Sequence, residues 1–240
     1  MKLTNLIKTF AASSLFICQS LGATLTTLAS DDFSYPDGSL VPNGGWANHS
    51  GTAGDLLVSG GAAVVQHGVP SEDANLIFGT QTTGVVSATF DVTVNASAVI
   101  GTGGTDFEYF IHFLNNGGSF RSRVDVVAPT GGGDFTFGIS HNASAEGILP
   151  TDFNFGDVVS MELIFDMDSG LTSITVGPDT VSGTSLSTGD TINSIAFRQS
   201  DSSENETVTL DNLVVCTSVP EPSTALLGGL GLLGLLRRRR

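Results

Sequence analysis

Val86-Ser87-Ala88-Thr89-Phe90-Asp91-Val92-Thr93-Val94 places an apolar side chain at every second position and a polar or small one between. A helix would scatter those apolar groups around its axis, whereas an extended strand gathers them on one face. The period returns in Phe107, Tyr109, Ile111 and Phe113, and again in Val159, Met161, Leu163 and Phe165. Further strands fit near Leu56–Gln66, Phe135–Ser140, Leu171–Val176, Ser194–Gln199 and Thr207–Val215. Turn formers separate them: Gly60-Gly61, Asn115-Asn116-Gly117-Gly118, Gly131-Gly132-Gly133-Asp134 and Asp168-Ser169-Gly170. Many short strands, each with one apolar face, bury those faces by stacking two sheets. The expectation is an all-β protein, a two-sheet antiparallel β-sandwich.

Composition narrows what such a sandwich can touch. Between Ser30 and Ser218 the basic residues are Arg121, Arg123 and Arg198, against 23 of the chain's 24 acidic residues (the other is Glu221), for a net charge of −20. That field repels nucleic-acid phosphates and anionic membranes, so no nucleic-acid partner is expected. It suits divalent cations, a salty medium or plain solubility. The two cysteines are Cys18 and Cys216. Cys18 falls in the N-terminal segment read below as a leader, which leaves Cys216 alone after its removal, a small apolar-strand residue rather than a nucleophile.

The hairpin from Phe107 to Val127 carries the most informative pattern. If Asn116-Gly117 is a two-residue turn, Phe113 faces Phe120, Ile111 faces Ser122 and Tyr109 faces Val124, all toward the core. The opposite face then pairs His112 with Arg121, Phe110 with Arg123 and Glu108 with Asp125. Two of the three arginines thus share a face with a histidine, an aromatic ring and two acids. The face reads either as a ligand site or as a solvated sheet surface whose arginines neutralise local acids. Trp46, the sole tryptophan, reads as a buried anchor for the N-terminal segment, with an exposed sugar platform as the alternative. Asn48, Asn95, Asn142 and Asn205 stand in glycosylation triplets but read as ordinary loop or strand residues.

Catalysis is not expected. A retaining glycosidase needs two carboxylates about 5–5.5 Å apart. An alternating Glu-x-Asp-x-Glu strand would supply them, and none is present. Asp106 and Glu108 form a thin pair, and Glu162 and Asp166 are separated by Ile164. No Gly-x-Ser-x-Gly elbow, His-Glu-x-x-His helix or phosphate loop occurs.

The two ends read as addresses. Residues 1–29 hold Lys2 and Lys8, an apolar stretch from Phe10 to Ile17 and small residues after it, the layout of a secretory signal peptide. Cleavage after Ala23 or after Ala29 fits; Ile17 before Cys18 argues against a lipid anchor. At the other end, Val219-Pro220-Glu221-Pro222-Ser223 leads into a run of Ala, Leu and Gly from Ala225 to Leu236 and then Arg237, Arg238, Arg239 and Arg240. As a helix, that run rises about 18 Å, short of the roughly 30 Å hydrocarbon core. The four arginines would stay cytoplasmic and leave the rest of the chain outside.

That tail resembles the PEP-CTERM sorting signal of Gram-negative bacteria, carried by Val219 through Ser223 and the apolar and arginine blocks. The resemblance implies transient anchoring in the inner membrane, processing by an exosortase-type membrane enzyme near Pro220-Glu221-Pro222, and residence at the cell surface or in the extracellular matrix. A second resemblance rests on Asp31-Asp32-Phe33-Ser34-Tyr35-Pro36-Asp37-Gly38-Ser39-Leu40, Gly45-Trp46, the Phe165–Thr172 hairpin and Asp211-Asn212-Leu213-Val214-Val215. These pieces are similar to concanavalin A-like and laminin-G-like jelly rolls. The resemblance implies a jelly roll over residues 30–218 and a sugar site on the face of Glu108, Phe110, His112, Arg121, Arg123 and Asp125. It also implies adjacent chain ends, so that Asp31, Asp32 and Asp211 are candidate calcium ligands. Asp166, Asp168 and Gly170 are a hairpin turn on this reading.

The sequence therefore divides into a signal peptide (1–29), a jelly-roll domain (30–218) and a sorting segment with a short hydrophobic helix (219–240). The expected role is non-catalytic, structural or adhesive. A lectin-like module binding extracellular polysaccharide is the alternative, and a polysaccharide hydrolase the most distant one.

Overall fold

The computed structural model describes residues 23–68, 70–101, 108–115, 117–140, 145–183, 189–200 and 204–220. In chain order its strands begin with β1 (Ala23–Asp31), β2 (Gly38–Ser39), β3 (Trp46–Ser50), β4 (Leu57–Ser59), β5 (Ala62–Gln66) and β6 (Asp73–Gln81). Next come β7 (Val85–Asn95), β8 (Glu108–Leu114), β9 (Phe120–Val127), β10 (Thr136–Ser140) and β11 (Gly147–Ile148). The last are β12 (Val158–Asp166), β13 (Leu171–Val176), β14 (Asp179–Ser182), β15 (Ile192–Arg198) and β16 (Thr207–Pro220).

These strands form two antiparallel sheets, the sandwich that the alternation demands. One runs β14-β13-β12-β7-β16-β5-β4-β2, with β1 added against β16; the other runs β11-β10-β9-β8-β15-β6-β3. The opening stretch is the middle of β7, flanked by β12 and β16. Val86, Ala88, Phe90, Val92 and Val94 are all buried, as are Phe137, Ile139, Ile195 and Phe197 of the facing sheet. Each such large side chain contributes roughly 1.5–3 kcal/mol on burial.

The expected strands at Leu171–Val176 and around Val86–Val94, Val159–Phe165 and Phe135–Ser140 are present, and Gly60-Gly61 splits the Leu56–Gln66 stretch into β4 and β5. β3 and β6 were not expected. The weak signal of β6 has a physical source: its second half is solvated, with Ile77 62% exposed, and Gly79 has a φ of 93°. Tertiary pairing to β15 and β3 makes it a strand.

The first and last described strands extend the first sheet past the boundaries drawn from sequence. β1 pairs with β16 from Ala23↔Pro220 to Asp31↔Leu213, with one irregularity between Thr27 and Ala29. The start of the leader, the tail from Glu221 onward and the short hydrophobic helix expected there lie outside the described residues. Among the described residues, no helix is long and apolar enough to cross a membrane. Cys216 is disulfide-bonded rather than alone; the chain's other cysteine, Cys18, lies outside the described residues.

Candidate functional site

The β8–β9 hairpin departs from its expected register, and the departure builds the site. Leu114 pairs with Phe120 across a five-residue connection closed by the Asn115 N–H to Ser119 O bond at 3.0 Å, in place of a two-residue turn. Pairing continues Phe113↔Arg121, then Ile111↔Val124, then Tyr109↔Asp125, with an irregularity on each side of Ile111. β9 therefore carries one extra residue near Ser122, whose φ is +49°, and β8 one extra at Phe110. These are two compensating bulges, and each re-aims the side chains beside it.

Phe110 turns into the core and is fully buried, against its expected place on the outer face. Tyr109, expected in the core, takes that outer position. Phe120 joins it there, against its expected place in the core. Arg121, expected on this face, instead donates from Nε to Asp190, with Nη1 on the Phe120 carbonyl at 2.7 Å. Ser122 points inward and its Oγ accepts from Thr172 Oγ1 of the other sheet at 2.6 Å. His112, Arg123 and Asp125 stay on the outer face as expected. The side chain of Glu108 lies outside the described residues, as does Asp106.

The outer face of the seven-stranded sheet gathers an aromatic and cationic group around Tyr109. The guanidinium carbons of Arg123 and Arg198 both lie 4.5 Å from the Tyr109 ring centroid, and 5.2 and 6.0 Å from that of Phe120. His112 meets Phe120 edge-on at 4.7 Å and Tyr109 at 5.4 Å, and exposed His49 approaches Phe120 at 6.5 Å. Arg198 is carried by β15, next to β8, so strand order alone brings it here. Sequence reasoning missed Tyr109, Phe120, His49 and Arg198. A usable signal existed for Arg198, one of only three cations in the module.

Electrostatics distinguish the three arginines. Arg121 has its carboxylate partner, and Arg121–Asp190 is the only ion pair among the described residues. Burial lowers the Arg123 guanidinium, with the neighbouring Asp125 working against that shift. Arg123 Nε and the Tyr109 hydroxyl are both shut from solvent without a hydrogen-bond partner, as is Ser140 Oγ on the adjoining strand. Burial, with Arg123 and His49 nearby, pushes the His112 imidazole down to about 3 against a hydrogen bond to the Phe113 carbonyl. His112 is therefore neutral at physiological pH.

The three candidate calcium ligands have separate roles. Asp31 is buried, and its oxygens accept from the Phe33 N–H at 2.8 Å, the Tyr35 hydroxyl at 3.0 and 3.1 Å and the Trp46 indole at 2.7 Å. Those donors occupy it as a structural acceptor. The Tyr35 phenol is pushed up to about 12 by burial, then by that hydrogen bond. Asp32 is exposed and caps Ser34. Burial raises Asp211, and Asp91, Asp32 and Asp31 add repulsion, so these acids share a neighbourhood. No group of three or more metal-ligating side chains occurs among the described residues. Asp166 accepts from Asp168 N and from Ser169 N and Oγ, closing a hairpin turn. Trp46 is buried and stacks on Phe197 at 4.4 Å, the anchor that its sequence context implied.

Of the sorting segment, the backbone of Val219 and Pro220 is the last stretch of β16; Glu221, Pro222, Ser223 and Arg237 to Arg240 lie outside the described residues. Residues 218–240 match the PEP-CTERM protein-sorting motif, which marks an exported protein carrying a sorting signal. No curated protein matches the chain. Among solved structures it is similar to a sialidase at 16% identity and TM-score 0.51, over 79% of this chain and 18% of the sialidase. It is similar to the carbohydrate recognition domain of Emp47p at 12% identity and TM-score 0.50, over 81% and 97% of the two chains. It is also similar to a lectin from Bauhinia forficata in complex with GalNAc, at 10% identity and TM-score 0.50, over 83% and 100%. At such identities the likeness is one of fold, a lectin-like jelly-roll sandwich.

Proposed function

We propose that this exported chain is a non-catalytic cell-surface or extracellular-matrix protein of a Gram-negative bacterium, with an adhesive role. In this reading an exosortase-type enzyme receives the tail at the inner membrane. The folded module then holds extracellular polysaccharide on the outer face of the seven-stranded sheet. The observation that supports it is the meeting of Arg123 and Arg198 over Tyr109 and Phe120. In a module so acidic, two arginines that form no ion pair among the described residues, on one sheet face, are a costly arrangement for a mere surface. Calcium has no part in this reading, because the Asp31 oxygens serve three donors.

A glycan array with the exported protein tests it. Binding to at least one glycan is expected, lost in the Arg123→Gln/Arg198→Gln double variant while its thermal midpoint shows it folded. A blank array with folded protein would leave a purely structural role. Release of new reducing ends from a bound glycan would overturn the non-catalytic part.

A further inference from the structure

We infer that the sheet face selects an acidic saccharide, its carboxylate received by the guanidinium groups of Arg123 and Arg198. The inference rests on the saccharide reading above and specifies its chemistry. Neutral sugars are commonly held by stacking on an open aromatic face, with hydroxyls satisfied around the rim. Tyr109 does not present such a face: it is 6% exposed and two guanidinium groups lie against its ring. What the site offers an incoming ligand is therefore cationic rather than aromatic.

The guanidinium carbons are each 4.5 Å from the Tyr109 centroid and 5.2 and 6.0 Å from that of Phe120, so both cations gather at one aromatic pair. A carboxylate accepts two parallel N–H bonds from a guanidinium fork at about 2.7–2.9 Å. Arg123 Nε is buried with no acceptor, and the Tyr109 hydroxyl beside it is likewise unpartnered. A buried donor without an acceptor is costly, and since the Arg123 and Arg198 side chains are each only half-buried, a ligand carboxylate can approach the guanidinium groups from outside.

Among the described residues, no acid on this face forms an ion pair with Arg123 or Arg198. Asp73, opposite Arg198 in register, accepts from Ser50 Oγ at 2.6 Å and Gln199 N at 3.3 Å. Asp125 lies near Arg123, yet neither Arg123 nor Arg198 forms an ion pair among the described residues. The acidic surface around the site opposes a long polyanion. A short oligomer is therefore the suitable probe.

The test is a calorimetric titration of the exported protein with trimers of galacturonate, glucuronate and mannuronate, and with their methyl esters. The ester keeps the ring and its hydroxyls and removes the charge. At least one acid trimer is expected to bind tenfold or more tightly than its ester. Arg123→Gln or Arg198→Gln should remove that preference, and Arg198→Lys should restore part of it. Thermal melts of each variant show that it is folded. An ester binding as tightly as its acid, or an acid preference untouched by Arg198→Gln, overturns the inference and leaves the saccharide reading standing. No binding by any trimer overturns it as well, and the glycan array then decides whether the saccharide reading falls with it.

Discussion

The Asp31 carboxylate takes hydrogen bonds from Phe33, Tyr35 and Trp46, and a Cβ at Gly44, whose φ is +57°, would sit 2.6 Å from one of its oxygens. Asp31→Asn puts an amide donor among donors, which should cost about 1–3 kcal/mol. For a chain of this size, each kcal/mol lowers the thermal midpoint by roughly 2–4 °C. The same geometry predicts equal midpoints in calcium and in EDTA; a calcium-dependent rise would return Asp31 to the ligand role. His112 gives a pH signature. Its unfolded imidazole takes a proton below about pH 6.5, while the folded one stays neutral down to about 3. In that window the unfolded state binds more protons, so stability falls as pH falls, by up to about 1.4 kcal/mol per pH unit. Urea midpoints from pH 7 to 4 should show wild type losing more than His112→Gln. Equal slopes would place the proton elsewhere.

At the scale of elements, β1 and the β8–β9 hairpin show what alternation can and cannot specify. Small and apolar residues after a basic start fit a signal peptide, so most of Ala23–Asp31 reads in sequence as leader. In the fold it is a nine-residue strand on β16, with Leu28 and Ala29 packed against the core. Cleavage after Ala29 would strip most of that strand, whereas cleavage after Ala23 keeps it. A chain beginning at Ser30 should be less stable than one beginning at Thr24 by about 2–4 kcal/mol, the worth of one or two buried side chains. Comparing their denaturation midpoints checks this, and equal midpoints would show β1 to be dispensable. In the hairpin, the apolar period correctly marked both strands. A one-residue bulge in each strand exchanged Tyr109 for Phe110 and Phe120 for Arg121 on the outer face. Bulges leave no trace in a period of two. The one in β9 coincides with the positive φ of Ser122, whose Oγ accepts from Thr172 across the sandwich.

The molecule carries its acidic charge on a sandwich in which the first and last described strands, β1 and β16, run side by side. A net charge of −20 between Ser30 and Ser218 repels itself in the compact state. Raising sodium chloride from about 0.02 to about 0.5 M should therefore raise the thermal midpoint by several degrees, since the Debye length shrinks to a few ångströms. A midpoint that falls would show that specific ion pairs outweigh the field. Because Val219 and Pro220 are held in β16 beside Thr24 and Ala23, processing of the tail should fall beyond Pro220. The intact mass of protein recovered from its own organism should lack the four arginines and end near Pro222. A mass retaining the full tail would make it a permanent anchor.

The sandwich and the sorting signal at the C-terminal end were legible in the amino-acid order alone. Side-chain period, terminal segments and charge are properties of the chain in one dimension. Only the tertiary structure decided which residues share the outer face, because strand order carries Arg198 on β15 to Tyr109 on β8 across nearly ninety residues of chain. It also decided that Asp31 binds an indole and a phenol. Its donors come from Phe33, Tyr35 and Trp46, and the turn that brings Trp46 back, passing Gly44 close beneath them, is not encoded in any local pattern.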